Sequence, residues 1–367
     1  MIGVVEKVEE KAIEKSKDRS IYLDWLRIVA TFCVIVLHVS ATHFNNFDFN
    51  KFEWHIVNIY DGCTRWVVPI FVMISGAIFL KPDRKFDLKN MYKKKILRLC
   101  TSFLFWSFFY LLTTKYVLGY CALPLDYKIE NYICGYYHLW FIYMIIGLYI
   151  ITPVFREITK KKTIMEYFLK LSFAFTFVIP YIISIIKSFE LNYISGIIEG
   201  VLSKINFKLT IGYSSYYVLG YYLSQKELSK KQQNIIYCLG ILGSIFTVAF
   251  TRFFTIKNQK LNGLFYDYFS IGALFQAAAI FTFGKYVISK IRISQRAENR
   301  VLAISKYTFG IYLIHVFFME LLQQKGIDAM LFNPIISVPV ISMLIFILSL
   351  LVSYILNHTP FLKKYIV

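Results

Sequence analysis

Long apolar segments alternate with short polar ones along the whole chain. A helix needs about 20 apolar residues to cross the hydrocarbon core of a bilayer. Ten segments come close to that length or exceed it: 21–42, 55–80, 95–118, 137–155, 164–187, 208–224, 234–254, 268–288, 304–324 and 334–357. They do not alternate with period two, as the strands of a membrane barrel do. The pattern predicts an all-α, polytopic transmembrane helical bundle of about ten spans. The sixth segment is short and rich in tyrosine, so counts of eight or eleven are the alternatives.

Basic residues follow the same alternation. In membrane proteins, lysine and arginine are concentrated in cytoplasmic loops. They are abundant in the N-terminal tail and in the loops 81–94, 156–163, 225–233 and 289–303. The loops 43–54, 119–136, 188–207 and 325–333 have one each, and the loop 255–267 has two. A missed span would invert this order partway along the chain. We therefore predict that both termini are cytoplasmic, with a charged tail at 1–20, a ten-span domain at 21–357 and a short tail at 358–367.

The composition is typical of a membrane protein. Of the 367 residues, 57% are hydrophobic, 19% are aromatic and only 17% are charged, whereas soluble domains have about 25% charged residues. A net charge of +19 would ordinarily suggest nucleic acid as a partner. Because the excess lies in alternate loops, it mainly indicates orientation in the membrane, and no nucleic-acid partner is expected. The first apolar segment is too long for a cleavable signal peptide, and no small-residue cleavage site follows it.

The six cysteines show no metal-ligand spacing, so no metal site is expected. Four of them fall within spans, where packing is their expected role: Cys33, Cys63, Cys100 and Cys238. Cys121 and Cys134 share a predicted external loop, where they form either a disulfide or two free thiols.

The first span carries the most informative polar pattern. Arg27 and His38 are eleven residues apart, which places them within about 20° of the same helix face and about 16 Å apart along the axis. Asp24 and Thr31 fall near the same stripe. Because polar groups inside a bilayer are costly, this helix is expected to line something polar with one face. In the alternative interpretation, Arg27 reaches the cytoplasmic headgroups and His38 hydrogen-bonds a neighbouring helix.

Further motifs follow in order along the chain. They are Arg65-Trp-Val-Val-Pro69-Ile-Phe71 with Ser75-Gly76, Lys95-x-x-Arg98, His138-Leu139-Trp140-Phe141, and Gly310-Ile-Tyr312-Leu-Ile-His315. Together with the Arg27-to-His38 spacing, they resemble the acyltransferase 3 family of bacterial membrane acyltransferases over nearly the whole chain. The likeness is closest to stand-alone members that acetylate surface polysaccharide. Lys95 departs from the arginine pair of that family, because lysine keeps the charge but loses the bidentate geometry.

The resemblance implies a transmembrane O-acyltransferase in the bacterial cytoplasmic membrane. Such an enzyme moves an acyl group, usually acetyl, from cytoplasmic acetyl-CoA or another acyl-CoA to a hydroxyl of an extracytoplasmic cell-surface glycan or lipid-linked saccharide. It implies that Arg27, Lys94, Lys95 and Arg98 contact the phosphates of the donor. His38 and Arg27 are the implied catalytic residues. His38 acts as general base, or it accepts the acyl group covalently. The sequence leaves the acceptor, the acyl group and the oligomeric state open.

A base is usually oriented by a second polar group. Asp61 and Glu320 are expected at the depth of His38, and each is a candidate either to orient the imidazole or to contact the substrate. Asp24 is about 21 Å away along the helix and too far to hold the imidazole.

Four further candidates each have two interpretations. Arg65 either contacts substrate or pairs with Asp61 one turn away. His138 and Trp140 either touch the acceptor glycan or belong to an outer aromatic belt. His315 either lines the acceptor side or makes an inter-helix hydrogen bond. The Ser75-Gly76 pair, by contrast, is expected to allow close helix packing and not to take part in chemistry.

Two other function classes fit a chain of ten spans with buried arginine and histidine. One is a flippase or exporter of a lipid-linked sugar. The other is a surface-polysaccharide polymerase, although such proteins usually have a large external loop, and no external loop predicted here exceeds about 20 residues. Dependence on acyl-CoA separates the acyltransferase from both.

Overall fold

The structure is a computed structural model that describes residues 20–42, 44, 48–83, 85–117, 129, 132–188, 191–205 and 212–367. Within these ranges every regular element is a helix. Nine helical segments there are long and apolar enough to cross a bilayer. The prediction of an all-helical, polytopic membrane bundle is therefore confirmed. The sidedness of the termini and the division into tails and membrane domain stay predictions, and residues 1–19 lie outside the described ranges.

The helices of eight residues or more and the terminal helix are numbered in chain order. They are α1 (Ile21–Ala41), α2 (Phe52–Cys63), α3 (Val67–Phe79), α4 (Leu97–Tyr116), α5 (Trp140–Lys160), α6 (Lys162–Ser172), α7 (Ile179–Ser188), α8 (Asn192–Ile205), α9 (Tyr213–Gln225), α10 (Lys230–Asn258), α11 (Ile271–Tyr286), α12 (Gln295–Gln323), α13 (Pro334–His358) and α14 (Pro360–Tyr365). The sixth predicted span, at 208–224, corresponds to α9. With 13 residues, α9 is about 20 Å long and shorter than the hydrocarbon core. The helix α8 lies where the sequence pattern predicted a loop.

The second span is broken in the middle. Helix α2 ends at Cys63 and α3 begins at Val67. The side chain of Thr64 donates a hydrogen bond back to the Tyr60 carbonyl oxygen at 2.8 Å. This break places Arg65 inside the bundle, where its charge needs a partner.

Helices α3 and α9 cross at very short distance. A Cβ atom added to Gly76 would lie 1.8 Å from the Tyr217 carbonyl oxygen, and one added to Gly220 would lie 2.1 Å from that of Met73. Both contacts are with backbone, so a side chain has no room at either position. The interpretation of the Ser75-Gly76 pair as a close packing site is thus confirmed at Gly76.

Helix α1 lies inside the bundle, in contact with α2, α3, α11, α12 and α13. Its apolar residues Leu26 and Ala30 are buried. Gly284 of α11 faces Leu26, and Gly310 of α12 faces Ser353 of α13. Small residues therefore hold the neighbours of α1 close together.

The C-terminal residues pack against α4. Thr101 donates a hydrogen bond to the Tyr365 carbonyl oxygen at 2.6 Å, and the Trp106 indole donates one to the Ile366 carbonyl oxygen at 3.2 Å. Val367 is buried. The predicted tail at 358–367 is thus docked onto the bundle as far as the structure describes it.

The expected packing role of the span cysteines is only partly seen in the structure. Of the four span cysteines, Cys33 and Cys100 are partly buried, in keeping with a packing role, whereas Cys63 and Cys238 are exposed and do not pack inside the protein. Cys134 is exposed. Cys121 lies outside the described residues, so its pairing with Cys134 stays a prediction.

The crossing of α3 and α9 yields a stability prediction. We expect Gly220→Ala to lower the thermal unfolding midpoint of the detergent-solubilised protein, because the new methyl group would collide with the Met73 backbone. Overpacking of this kind costs about 1–3 kcal/mol. Gly147→Ala in α5 is the matched control, since a Cβ there meets nothing within 4 Å. Equal midpoints for the two variants would contradict the packing assignment.

Candidate functional site

A cavity of about 550 Å³ lies beside the polar face of α1. Both Arg27 and His38 line it. The two side chains therefore face one opening inside the bundle, as the stripe on the first span predicted. Apolar residues complete the wall between them, including Val34 and Phe71. A long, thin ligand could lie along this wall, because the helix separates the two ends by about 16 Å.

The Arg27 end of the cavity is strongly basic. Its wall contains five cationic side chains from four parts of the chain: Arg27, Lys95, Arg98, Lys306 and Lys363. From the sequence, Lys306 and Lys363 are indistinguishable from other basic residues near predicted cytoplasmic loops. The fold brings them in through α12 and the docked C-terminal segment.

Lys94 is placed differently from the other predicted donor contacts. It is exposed, and it is not part of the cavity wall, whereas the adjacent Lys95 is. Lys95 is exposed as well, so contact with the cavity, and not burial, distinguishes the two lysines.

Arg27 is held in place by a buried carboxylate. Asp24, one turn earlier on α1, is only 1% exposed. Its Oδ1 accepts a hydrogen bond from the Ser305 hydroxyl at 2.6 Å and one from Arg27 Nη1 at 3.3 Å. Asp24 therefore orients Arg27 and does not act on His38. Ser305 was not identified from the sequence, because no local sequence motif sets it apart from the other serines of the chain.

Three histidines from different segments meet at the other end. The ring centroids of His38 and His315 are 5.3 Å apart, and those of His315 and His138 are 5.4 Å apart. His38 and His138 line the cavity, and His315 lies behind them and is fully buried. The sequence identified each of these residues, but not that they form one cluster.

The hydrogen bonds define which ring nitrogens carry protons when the rings are neutral. His315 Nδ1 lies 2.6 Å from the Tyr312 carbonyl oxygen, and His138 Nε2 lies 3.4 Å from that of Leu313. A carbonyl oxygen only accepts, so these nitrogens are the donors. His315 Nε2 and His138 Nδ1 are then acceptors, and both are buried without a hydrogen-bond partner. Two lone pairs are thus available inside the cluster.

The two carboxylates considered as orienting groups for His38 have other partners. Asp61 forms an ion pair with Arg65, and Arg65 also donates to the Tyr266 carbonyl oxygen at 3.1 Å. Glu320 accepts a hydrogen bond from the Tyr136 hydroxyl at 2.6 Å. In the described part of the chain, no hydrogen bond joins either carboxylate to His38. The ring neighbours of His38 are instead aromatic and basic.

The environments of His138 and Trp140 differ, although both line the cavity. His138 is 2% exposed, and its carbonyl oxygen accepts a hydrogen bond from the Tyr312 hydroxyl. Trp140 is 37% exposed. Of the two, only Trp140 has the exposure of an interfacial belt residue.

Comparison with known proteins identifies one family. The acyltransferase 3 family model, described as an acyltransferase domain, matches residues 20–358. No curated protein and no solved structure matches the chain. The matched range contains all six predicted site residues that line the cavity: Arg27, His38, Lys95, Arg98, His138 and Trp140.

The geometry of Arg65 yields a second stability prediction. We expect Asp61→Asn to destabilise the protein strongly, by about 3–5 kcal/mol, because it leaves a buried guanidinium without its counter-charge. Glu157→Gln is the control, since it removes an exposed ion pair with Lys160 that is worth about 0–1 kcal/mol.

The measurement is the thermal unfolding midpoint in detergent. The double variant Asp61→Asn with Arg65→Met should recover much of the loss, because it removes both charges. If Asp61→Asn has the midpoint of the unaltered protein, the ion pair is not structural and Arg65 is open to a role in binding.

Proposed function

The chain belongs to the acyltransferase 3 family, and we propose that it is a stand-alone O-acyltransferase of cell-surface polysaccharide. It would take an acyl group, acetyl by default, from cytoplasmic acyl-CoA and transfer it to a hydroxyl of a glycan outside the membrane. The observation that carries the proposal is the single cavity with five cationic side chains at one end and His38 at the other.

The donor fits this cavity by charge and by length. Coenzyme A has a polyanionic nucleotide at one end and a thioester on a long, thin arm. Phosphate groups are bound by charge-assisted hydrogen bonds from arginine and lysine. With the nucleotide at the Arg27 end, the arm would extend along α1 and present the thioester near His38. The rise of about 16 Å along the helix is of the same order as the reach of that arm.

The chemistry assigned to His38 is general-base catalysis. Its neutral imidazole would take the proton of the acceptor hydroxyl while the hydroxyl oxygen attacks the thioester carbonyl carbon. The new ester C–O bond forms, the C–S bond breaks, and coenzyme A leaves as the thiolate. The imidazolium then returns the proton to sulfur, so the products are the O-acyl glycan and free coenzyme A. In the rival route, His38 itself carries the acyl group between donor and acceptor.

The cluster around His38 supports a basic role. His315 lies against His38 and presents an unpartnered Nε2 inside the protein. The ring centroids of Tyr137 and His38 are 5.7 Å apart. These neighbours restrict the imidazole without supplying a carboxylate that would hold it protonated.

The direct test is acyl transfer by membranes containing His38→Ala. With radiolabelled acetyl-CoA and candidate glycan acceptors, we expect transfer to fall by about 10²–10⁴-fold, the usual contribution of a general base. His358→Ala, at the exposed end of α13, is the matched control and should keep full activity. Movement of glycan across the membrane without any dependence on acyl-CoA would instead identify a transporter.

Two pairs of adjacent lysines test the donor site. We expect Lys95→Gln and Lys363→Gln each to raise the KM for acyl-CoA several-fold, because each removes a cation from the cavity wall. The neighbouring changes Lys94→Gln and Lys364→Gln also remove one positive charge, but outside that wall, and should leave this KM unchanged. Equal effects within each pair would show that only the overall charge matters and would remove both residues from the donor site.

A further inference from the structure

Three aromatic side chains form a group close to the histidine cluster. The ring of Trp140 lies 5.7 Å from that of Tyr213 at an interplanar angle of 35°. It lies 6.1 Å from the ring of Tyr268 at an angle of 32°. These angles are far from the perpendicular arrangement that predominates elsewhere in the bundle. The rings of Trp140, Tyr213 and Tyr268 are hereafter called the aromatic platform.

The aromatic platform adjoins the cavity that holds His38. Trp140 and Tyr268 both line that cavity. Trp140 also begins α5 directly after Leu139, only two residues from His138, whose ring belongs to the histidine cluster. A molecule lying on the platform would therefore extend toward His38 without leaving the cavity.

The platform is held by rigid surroundings. The hydroxyl of the fully buried Tyr216 donates a hydrogen bond to the Tyr268 carbonyl oxygen at 2.6 Å. Asp267 Oδ1 accepts one from the Phe269 amide at 2.6 Å. Ser270 caps the next helix, since its hydroxyl oxygen accepts from the Ala273 amide at 3.1 Å. The segment that presents Tyr268 is thus fixed before any ligand arrives.

An interfacial aromatic belt does not explain this arrangement. Belt residues lie at the level of the lipid headgroups, whereas Trp140 and Tyr268 line a cavity within the protein. Trp140 is nevertheless 37% exposed. The carboxylate of Asp267 is exposed beside the platform and is suited to accept hydrogen bonds from hydroxyl groups.

We propose that the aromatic platform binds a pyranose ring of the acceptor by stacking. The axial C–H groups of a pyranose form an apolar, slightly positive face, which complements the negative face of an aromatic ring. The hydroxyls around the ring edge would remain available to Asp267 and to His38. The inference rests on the proposed function only where it names the bound sugar as the acyl acceptor. Binding of a sugar to the platform can be measured without acyl transfer.

The experiment uses the full chain in lipid nanodiscs. Two neutral probes are offered, a tetramer of β-1,4-linked glucose and a tetramer of β-1,4-linked N-acetylglucosamine, and binding is measured by calorimetry. We expect Trp140→Ala to weaken binding of at least one tetramer by tenfold or more, and Trp140→Phe to retain most of it, because phenylalanine keeps an aromatic face. Phe52→Ala, an exposed aromatic outside the cavity, is the matched control and should bind as the unaltered protein does.

Three readouts separate the possible outcomes. Thermal midpoints show that each variant is folded, and the Kd for acyl-CoA should be the same in Trp140→Ala and the unaltered protein. If the unaltered protein binds a tetramer but transfers no acyl group to any glycan, the proposed function fails, and the proposal that the platform binds a sugar ring is retained. If neither tetramer binds, or if Trp140→Ala binds both with unchanged affinity, the platform is overturned, even where acyl transfer is observed.

Discussion

The cost of burying charged and polar groups in a hydrocarbon environment governs how this molecule is built. Helix α1 has an arginine and a histidine on one face, and neither can face lipid cheaply. In the structure, that face lines a cavity. Arg27 has a carboxylate partner, Asp24, which also accepts a hydrogen bond from Ser305. The same requirement explains the ion pair of Arg65 with Asp61. Each buried charge in this part of the bundle thus has a defined neighbour.

Close helix packing gives the cavity a fixed shape. Gly76 and Gly220 let α3 and α9 approach to backbone contact, whereas Gly284 and Gly310 make room for the side chains of Leu26 and Ser353 between the helices around α1. Because packing between membrane helices depends on van der Waals contact and not on exclusion of water, small residues decide which helices can approach. A rigid frame of this kind keeps the two ends of the cavity at a constant separation.

The chemistry follows from that separation. Cations gather at the Arg27 end, and three imidazoles gather at the His38 end. A ligand with a charged head and a reactive thioester at the far end of an arm would satisfy both ends at once. Beyond the histidines, the aromatic platform offers a surface on the side where an acceptor would enter. Donor and acceptor would then meet at His38 from opposite directions.

Most of the architecture could be predicted from the sequence, because the membrane imposes a length and an apolar character that short-range patterns reveal. The eleven-residue spacing of Arg27 and His38 likewise predicted that they share one face, since helix geometry alone determines this. The histidine cluster, the roles of Ser305, Lys306 and Lys363, and the exclusion of Lys94 from the cavity wall could not be predicted. These depend on which helices are neighbours and how each is rotated about its axis. Only tertiary packing decides that, because residues far apart in the chain carry no local signal of their contact.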